Sequence, residues 1–234
     1  VVIKPQGLKS QTEFIEFNLR TTFNDIRTTF PDIPYLLQPL QNSNERCNYT
    51  NKDTGGFEQI NSDISDNEFT TTLCEHVLEF PFSGSEQPWW LSNEQSWQEI
   101  VLINSAREGA SHPIHQHGGW YWVVGEGQFS TSISINRSYI MDLYNEGILQ
   151  KNYQGENLTT VWNFPDDPIQ ELTTQSTIPI VPSNILPKDV IQVPNQGYVI
   201  IRTHLDNPGN FIFHCHIDFH LSIGMGLGKY SFFN

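Results

Sequence analysis

The chain has 234 residues and carries 12 Lys and Arg against 26 Asp and Glu, a formal net charge of −14. This acidic balance argues against nucleic acid as a partner. No apolar run approaches the roughly 20 residues that a helix needs to cross a bilayer, so we expect no membrane span. The length suits one large or two small domains.

Short segments of alternating or continuous apolar residues predict β-strands along the chain. The predicted strands cover residues 12–20, 73–82, 97–104, 119–124 and 198–203. Gly125 and Gly127 are expected to turn the chain after the fourth of these. Turn signals at Gln196-Gly197 and over residues 206–209 bracket the fifth.

Helical periodicity is almost absent, and residues 139–146 predict either a short helix or a loop. Residues 31–72 and 147–190 are polar and rich in turn residues, so long loops are expected there. Trp162 and Phe164 are the expected anchors of the second loop. The pattern predicts an all-β sandwich or barrel.

Features of secreted proteins occur along the chain. Cys47 and Cys74 flank a polar loop and are predicted to form a disulfide. Sequons begin at Asn48, Asn136 and Asn157, and at least one is expected to be glycosylated. Together they favour an extracellular glycoprotein. The chain begins with Val1 and without a signal peptide, so we expect a piece of a longer or processed chain.

Three histidines follow the strand at 97–104, in the segment HPIHQHG that starts at His112. His115 and His117 are two residues apart, so on an extended strand they share a face. His112 lies three residues before His115, with Pro113 between them, and can face elsewhere. An HxH pair alone is a weak signal.

The densest group of metal-binding residue types lies in FIFHCHIDFHLSIGMG, residues 211–226. It contains His214, Cys215, His216, His220 and Met225. If the strand continues through this segment, Cys215 points to one face and His214 and His216 to the other. A thiolate with imidazoles and a distant thioether is the ligand set of blue-copper electron transfer.

Two alternatives fit this segment less well than a copper site. A buried Cys beside core histidines would account for one lone His, but not for five ligand types at this density. Zinc suits two His and one Cys, but Met is a poor zinc ligand.

The two motifs, HPxHxH and HCHxxxHxxxxM about a hundred residues later, resemble the multicopper oxidases, the laccase and ascorbate-oxidase family. The chain, 1–234, resembles their third, C-terminal cupredoxin domain, well over residues 95–146 and 188–234 and only loosely over residues 1–94. The resemblance implies an all-β, cupredoxin-like Greek-key β-sandwich with long loop insertions. Residues 1–12 are expected to include an interdomain linker, and residues 155–177 resemble an insertion. Stretches at 193–198 and 206–209 are similar to invertebrate laccases.

The resemblance also implies a role for each ligand. His112, Cys215 and His220 would bind type 1 copper, with Met225 as axial ligand. The residues expected to bind the trinuclear cluster are His115 for type 2 copper and His117, His214 and His216 for the type 3 pair. Electrons would pass from Cys215 through His214 and His216.

Residues beside the ligands carry further expectations. Asp218 matches a carboxylate that is proposed in the family to relay protons, although an ordinary exposed acid is the alternative. Gln116 and Gly119 depart from the family pattern next to the ligands and are expected to change contacts around them. His76 and His204 match no motif and are expected at the surface or the core edge.

The trinuclear cluster of the family uses eight His, of which this sequence holds four. We expect N-terminal multicopper oxidase domains, in a separate chain or a cleaved precursor, to supply the others. The expected function is that of a secreted laccase-like oxidase. It would oxidise phenolic or similar reductants by one electron at type 1 copper and reduce dioxygen to water. A ferroxidase that oxidises iron(II) and a non-catalytic copper-binding or storage glycoprotein remain as alternatives.

Overall fold

The structure is a computed structural model that describes residues 2, 4–17, 72–78, 85–92, 97–106, 109–150, 158–163, 178–204, 206–207 and 209–231. For residues 72–78 and 85–92 it describes the backbone alone. Cys47, Asn48, Asn157 and Phe164 lie outside the described residues, as does the side chain of His76. The predicted disulfide, two of the sequons and the Phe164 anchor therefore stay predictions.

The described residues form two sheets. The first has the strand order β1-β4-β9-β6-β7 and the second the order β2-β3-β11-β10-β5-β8. The strands are β1 Leu8–Phe17, β2 Thr72–Leu78, β3 Ser85–Ser92, β4 Trp97–Asn104, β5 His112–Gln116, β6 Tyr121–Phe129, β7 Leu158–Trp162, β8 Val190–Val193, β9 Gly197–His204, β10 Gly209–Cys215 and β11 Gly226–Ser231. The helices are α1 Arg137–Asn145 and α2 Asp218–Ser222, with a 3₁₀ turn at Ile148–Gln150.

The main core lies between the two sheets. Apolar side chains of the first sheet, among them Phe17, Leu102 and Ile201, meet Ile114 and Phe213 of the second. A second cluster covers the outer face of the first sheet beneath α1. Every residue of β4 after Trp97 is buried because both faces of this strand are covered. This architecture confirms the predicted all-β sandwich.

The first strand begins at Leu8 and pairs in parallel with β4, with Phe14 opposite Val101. It therefore includes residues 8–12, the end of the segment expected to contain a linker. Phe17 is fully buried in the core between the sheets. The N-terminal segment thus contributes a strand and core side chains to the fold.

Gly125 and Gly127 do not turn the chain, and that prediction was wrong. Both lie inside β6, where the pairing with β9 shifts register between Val123 and Gly125. A Cβ on Gly125 would lie 2.6 Å from the ring of Trp162, and one on Gly127 would lie 2.4 Å from the ring of Tyr198. The glycines are needed because aromatic rings pack directly on the strand backbone, one of the uses of Gly inside strands.

The short helix predicted as one alternative for residues 139–146 is present, and the long loop predicted over residues 147–190 contains more regular structure than expected. Residues 137–145 form α1, where the Asn136 side chain accepts a hydrogen bond from the Tyr139 N–H and caps the helix. Residues 158–162, inside the predicted insertion, form β7 at the edge of the first sheet. The buried Trp162 is an anchor, as predicted. No helix within the described ranges is long and apolar enough to cross a membrane.

Candidate metal centre

The side chains of His112 in β5, Cys215 in β10 and His220 in α2 converge where the second sheet meets the core. We call these three residues, together with the buried Met225, the cysteine cluster. Cys215 Sγ lies 3.6 Å from His112 Nδ1 and 3.5 Å from His220 Nδ1, and the two nitrogens are 3.2 Å apart. The point equidistant from three atoms so spaced is about 2 Å from each, close to the length of metal–nitrogen and metal–sulfur bonds in proteins. The donor atoms can therefore share one metal ion.

The backbone around these ligands is held by short-range contacts. The Cys215 N–H donates to the Met225 carbonyl at 3.1 Å, and the Met225 N–H donates to the His220 carbonyl at 2.9 Å. The Met225 side chain is fully buried and belongs to the same core cluster as Cys215. The ring of Phe17 packs edge-on against the His112 imidazole at 5.3 Å. The chain folds tightly here because Gly224 adopts a φ of 106°.

Four imidazoles lie on the other side of β10. We call His115, His117, His214 and His216 the histidine cluster. His117 Nε2 and His214 Nε2 are 3.1 Å apart, and a nitrogen of His115 lies within 4.8 Å of both. The His216 ring centre lies 5.4 Å from that of His115 and 5.7 Å from that of His214. The alternation expected from the sequence is present, with Cys215 on one face and His214 on the other.

Two backbone carbonyls orient rings of the histidine cluster. His115 Nδ1 lies 2.8 Å from the Asp189 carbonyl oxygen, and His214 Nδ1 lies 2.9 Å from the Cys215 carbonyl oxygen. Because a carbonyl only accepts hydrogen bonds, each Nδ1 carries the proton and each Nε2 keeps a lone pair for a metal ion. The sequence gives no signal for these contacts, since main-chain carbonyls are not visible in a residue pattern.

Burial favours the neutral form of four imidazoles in the two clusters, those of His112, His117, His214 and His220. It lowers the pKa of His112 to about 4, with a smaller contribution from the charge of His220. It also lowers the pKa of His214 to about 4, and the pKa values of His117 and His220 move in the same direction. Neutral imidazole is the form that binds metal ions. Burial raises the pKa of Cys215, so a bound cation is needed to stabilise its thiolate at neutral pH.

The remaining predicted residues belong to neither cluster. Asp218 is exposed in the first turn of α2, two residues after His216. Gln116 is buried, and its side-chain amide donates to the Thr203 hydroxyl at 3.2 Å, which ties the two sheets together. His204 is half-buried and lies 3.0 Å from Asp206, which fits the expected core edge.

The turn after the histidine motif requires glycine. Gly118 follows His117 with a φ of 70°, and a Cβ there would lie 2.4 Å from the Phe211 ring. An L-residue would therefore be strained in its backbone and would collide with β10. The glycine lets the chain leave His117 and turn towards β6.

The donor set fits copper. One thiolate and two imidazoles around a common point, with a buried Met on the adjacent turn, are the ligands of blue-copper sites. The histidine cluster offers imidazole alone, which suits copper as well as zinc, nickel and iron.

Comparison with known proteins agrees with this donor set. The sequence model of the multicopper oxidases matches residues 42–229, which is most of the chain. The chain therefore belongs to the multicopper oxidase family, and its all-β architecture is that of a cupredoxin.

Individual relatives are similar over part of the chain. Putative laccase-11 of Oryza sativa subsp. japonica is 34% identical over 130 residues, which is 55% of this chain and 17% of that protein. The iron transport multicopper oxidase FET5 of Saccharomyces cerevisiae is 27% identical over 127 residues, 54% of this chain and 16% of that protein. The chain thus corresponds to a small part of the length of these relatives.

Solved multicopper oxidases are among the structures to which this chain is similar. The crystal structure of Fet3p, a multicopper oxidase that functions in iron import, covers 97% of this chain with a TM-score of 0.46 and 19% identity, over 32% of its own chain. The crystal structure of laccase from Botrytis aclada covers 61% of this chain with a TM-score of 0.35 and 23% identity, over 19% of its own chain.

Proposed function

We propose that this chain is the C-terminal copper domain of a secreted, laccase-like multicopper oxidase. The observation that carries the proposal is the triangle of Cys215 Sγ, His112 Nδ1 and His220 Nδ1, with sides of 3.2–3.6 Å. Copper in the cysteine cluster would accept single electrons, and copper held by the histidine cluster together with a partner would deliver four electrons to dioxygen.

Cys215 connects the two clusters. Its Sγ belongs to the cysteine cluster, and its peptide bonds lead directly to His214 and His216 in the histidine cluster. The hydrogen bond of 2.9 Å between His214 Nδ1 and the Cys215 carbonyl adds a second connection. An electron that reaches Cys215 therefore has a short path of covalent and hydrogen bonds to the side where dioxygen would be reduced.

The histidine cluster needs a second surface. His117 and His216 are exposed, while His214 is buried. Four imidazoles cannot surround three copper ions, so we propose that N-terminal domains supply four further His and cover this face. Asp218, exposed beside the cluster, is proposed to move protons to the reduced oxygen, because a carboxylate at that edge can exchange protons with solvent.

The reductant is proposed to be a phenol or a similar small molecule. Several relatives bear the name laccase. Within the described residues, the only acidic side chain on α2 is Asp218. The relationship to FET5 keeps iron(II) as the second candidate. Secretion is supported by the sequons, of which Asn136 is exposed next to α1.

Oxygen uptake by the assembled protein tests this function. The chain would be assembled with its N-terminal domains, loaded with copper and supplied separately with a methoxyphenol and with iron(II). We expect dioxygen consumption with the phenol, water as the product and no accumulation of hydrogen peroxide. Rapid uptake with iron(II) and none with phenols would instead identify a ferroxidase. Full copper loading without uptake from either donor would identify a storage protein.

A further inference from the structure

The hydroxyl of Tyr121 lies between two carbonyls that flank His115. Tyr121 begins β6 in the first sheet, and its side chain is fully buried. Its Oη lies 2.5 Å from the carbonyl oxygen of Ile114 and 2.9 Å from that of Asp189. Ile114 precedes His115 in β5, and the Asp189 carbonyl also accepts the Nδ1–H of His115 at 2.8 Å.

The backbone of Tyr121 holds the same segment in place. Its N–H donates to the Lys188 carbonyl at 2.9 Å, and the Lys188 N–H donates to the Tyr121 carbonyl at 2.8 Å. On the other side, the Gln116 N–H donates to the Asp189 carbonyl at 3.0 Å. The Asp189 carbonyl, which accepts the His115 proton, is thus held by two contacts. One is the backbone bridge between Tyr121 and Lys188, and the other is the hydrogen bond from Gln116 in β5.

The Tyr121 hydroxyl has one proton, which the two carbonyls share, and it can only donate towards them. Burial raises its pKa well above the ordinary value, and the nearby Asp189 charge raises it further, so the proton stays on the oxygen. A phenylalanine would fill the same space with its ring but would leave both carbonyls without this donor. The hydroxyl therefore contributes something at this position that packing does not.

We propose that Tyr121 is a positioning residue for His115. Its hydroxyl holds the Asp189 carbonyl where it accepts the Nδ1–H of His115, which fixes the ring orientation and leaves Nε2 to bind copper. This inference rests on the proposed function, in which His115 is a ligand of the shared copper cluster. Loss of partners that orient metal-binding His typically weakens metal binding by 10–100-fold.

A matched variant distinguishes the proposed positioning role of the Tyr121 hydroxyl from a purely structural role. Tyr198 is also fully buried in the first sheet, and its hydroxyl donates to the Thr160 hydroxyl at 3.0 Å. Tyr198 belongs to the cluster on the outer face of the sheet, away from the copper ligands. Tyr121→Phe and Tyr198→Phe each remove one buried hydroxyl, but only the first removes a contact that leads to His115.

The test uses the copper-loaded assembly with its N-terminal domains, as wild type and as the two variants. Electron paramagnetic resonance follows type 2 copper during titration with a chelator, while the blue absorption reports the cysteine cluster. We expect Tyr121→Phe to lose half of its type 2 signal at a chelator concentration about tenfold lower than wild type. Tyr198→Phe should match wild type, and all three proteins should keep the blue absorption.

A second measurement reads the His115 ring directly. In the copper-stripped assembly, ¹⁵N NMR should show His115 protonated at Nδ1 in the wild type and in Tyr198→Phe, but a mixture of tautomers in Tyr121→Phe. Unchanged type 2 retention and an unchanged tautomer in Tyr121→Phe would overturn the inference, as would equal losses in both variants. A wild-type assembly that is blue but holds no type 2 copper would instead refute the shared cluster, and with it this role of Tyr121.

Discussion

The cysteine cluster and the histidine cluster share β10, but they differ in how far they are enclosed. Cys215 is fully buried, His112 is 4% exposed and His220 is half-buried, so this chain itself encloses most of the first cluster. In the second cluster, His117 and His216 are exposed. A centre whose donors are mostly enclosed by one domain can be completed by that domain, whereas a centre with exposed donors needs another surface to close it.

Removal of the Cys215 thiolate should give the largest measured difference between the two clusters. Cys215→Ser replaces the sulfur donor by a hydroxyl that binds copper weakly at neutral pH. We expect complete loss of the intense blue absorption. His117→Ala is the matched control, because it removes a ligand from the histidine cluster alone and should leave the blue absorption unchanged. A blue Cys215→Ser protein would show that another residue is the charge-transfer ligand.

Glu99 and Arg202 form a buried ion pair on the outer face of the first sheet. Breaking this pair tests the stability of the fold without changing a residue of the metal clusters. Glu99 accepts a hydrogen bond from Arg202 Nε at 2.7 Å and another from the Tyr144 hydroxyl. The side chains of Glu99 and Arg202 are 1% and 0% exposed. Breaking such a pair by removing one partner costs about 3–5 kcal/mol, because the other charge stays buried. We expect this loss for Glu99→Gln in urea unfolding at pH 7.

The same variant has an expected pH signature. Burial acts to raise the pKa of Glu99, but the charge of Arg202, the Tyr144 hydrogen bond and the charge of Lys4 together leave it below the ordinary 4.5. Its stabilisation is therefore present above pH 4.5 and is lost as the pH falls through the lowered value. The stability difference between wild type and Glu99→Gln should shrink in acid. The exposed Glu146→Gln serves as control, and a difference independent of pH would contradict this role of the carboxylate.

A smaller effect is expected at Asp218, outside both clusters. Asp218→Ala should slow dioxygen reduction by the assembled enzyme by about 10²-fold, the low end for loss of a proton-transfer group. The blue absorption should persist, because Asp218 is not a ligand. Asp142→Ala, which removes another exposed helical carboxylate, is the control. Loss of the blue absorption in Asp218→Ala would show that the residue supports the ligand loop instead.

The sequence predicted the residues of both clusters and their opposite orientation, because strand alternation acts within a few residues of Cys215. It also predicted β4 from a continuous apolar run. It failed at Gly125 and Gly127, since the rings that cover them come from β7 and β9 and only the tertiary fold brings them there. The Glu99–Arg202 pair was missed for the same reason, as 103 residues separate its members.

The role of Tyr121 was equally hidden. Its hydroxyl acts on main-chain carbonyls, and no side-chain pattern reports where a carbonyl will lie. Asp189 is 68 residues from Tyr121 in the chain, and the pairing of Tyr121 with Lys188 brings the two segments together. Local periodicity thus predicts which side chains can bind metal, whereas the contacts that orient them depend on pairing between distant segments.

The most direct test of the difference between the clusters is a copper titration of this chain alone, followed by blue absorption, bound copper and oxygen uptake. We expect one tightly bound copper per chain, an intense blue absorption and no steady consumption of dioxygen. Addition of the N-terminal domains should then allow further copper to bind and turnover to begin. Three or more tightly bound coppers with steady oxygen consumption by the chain alone would contradict the division into one complete and one shared copper site.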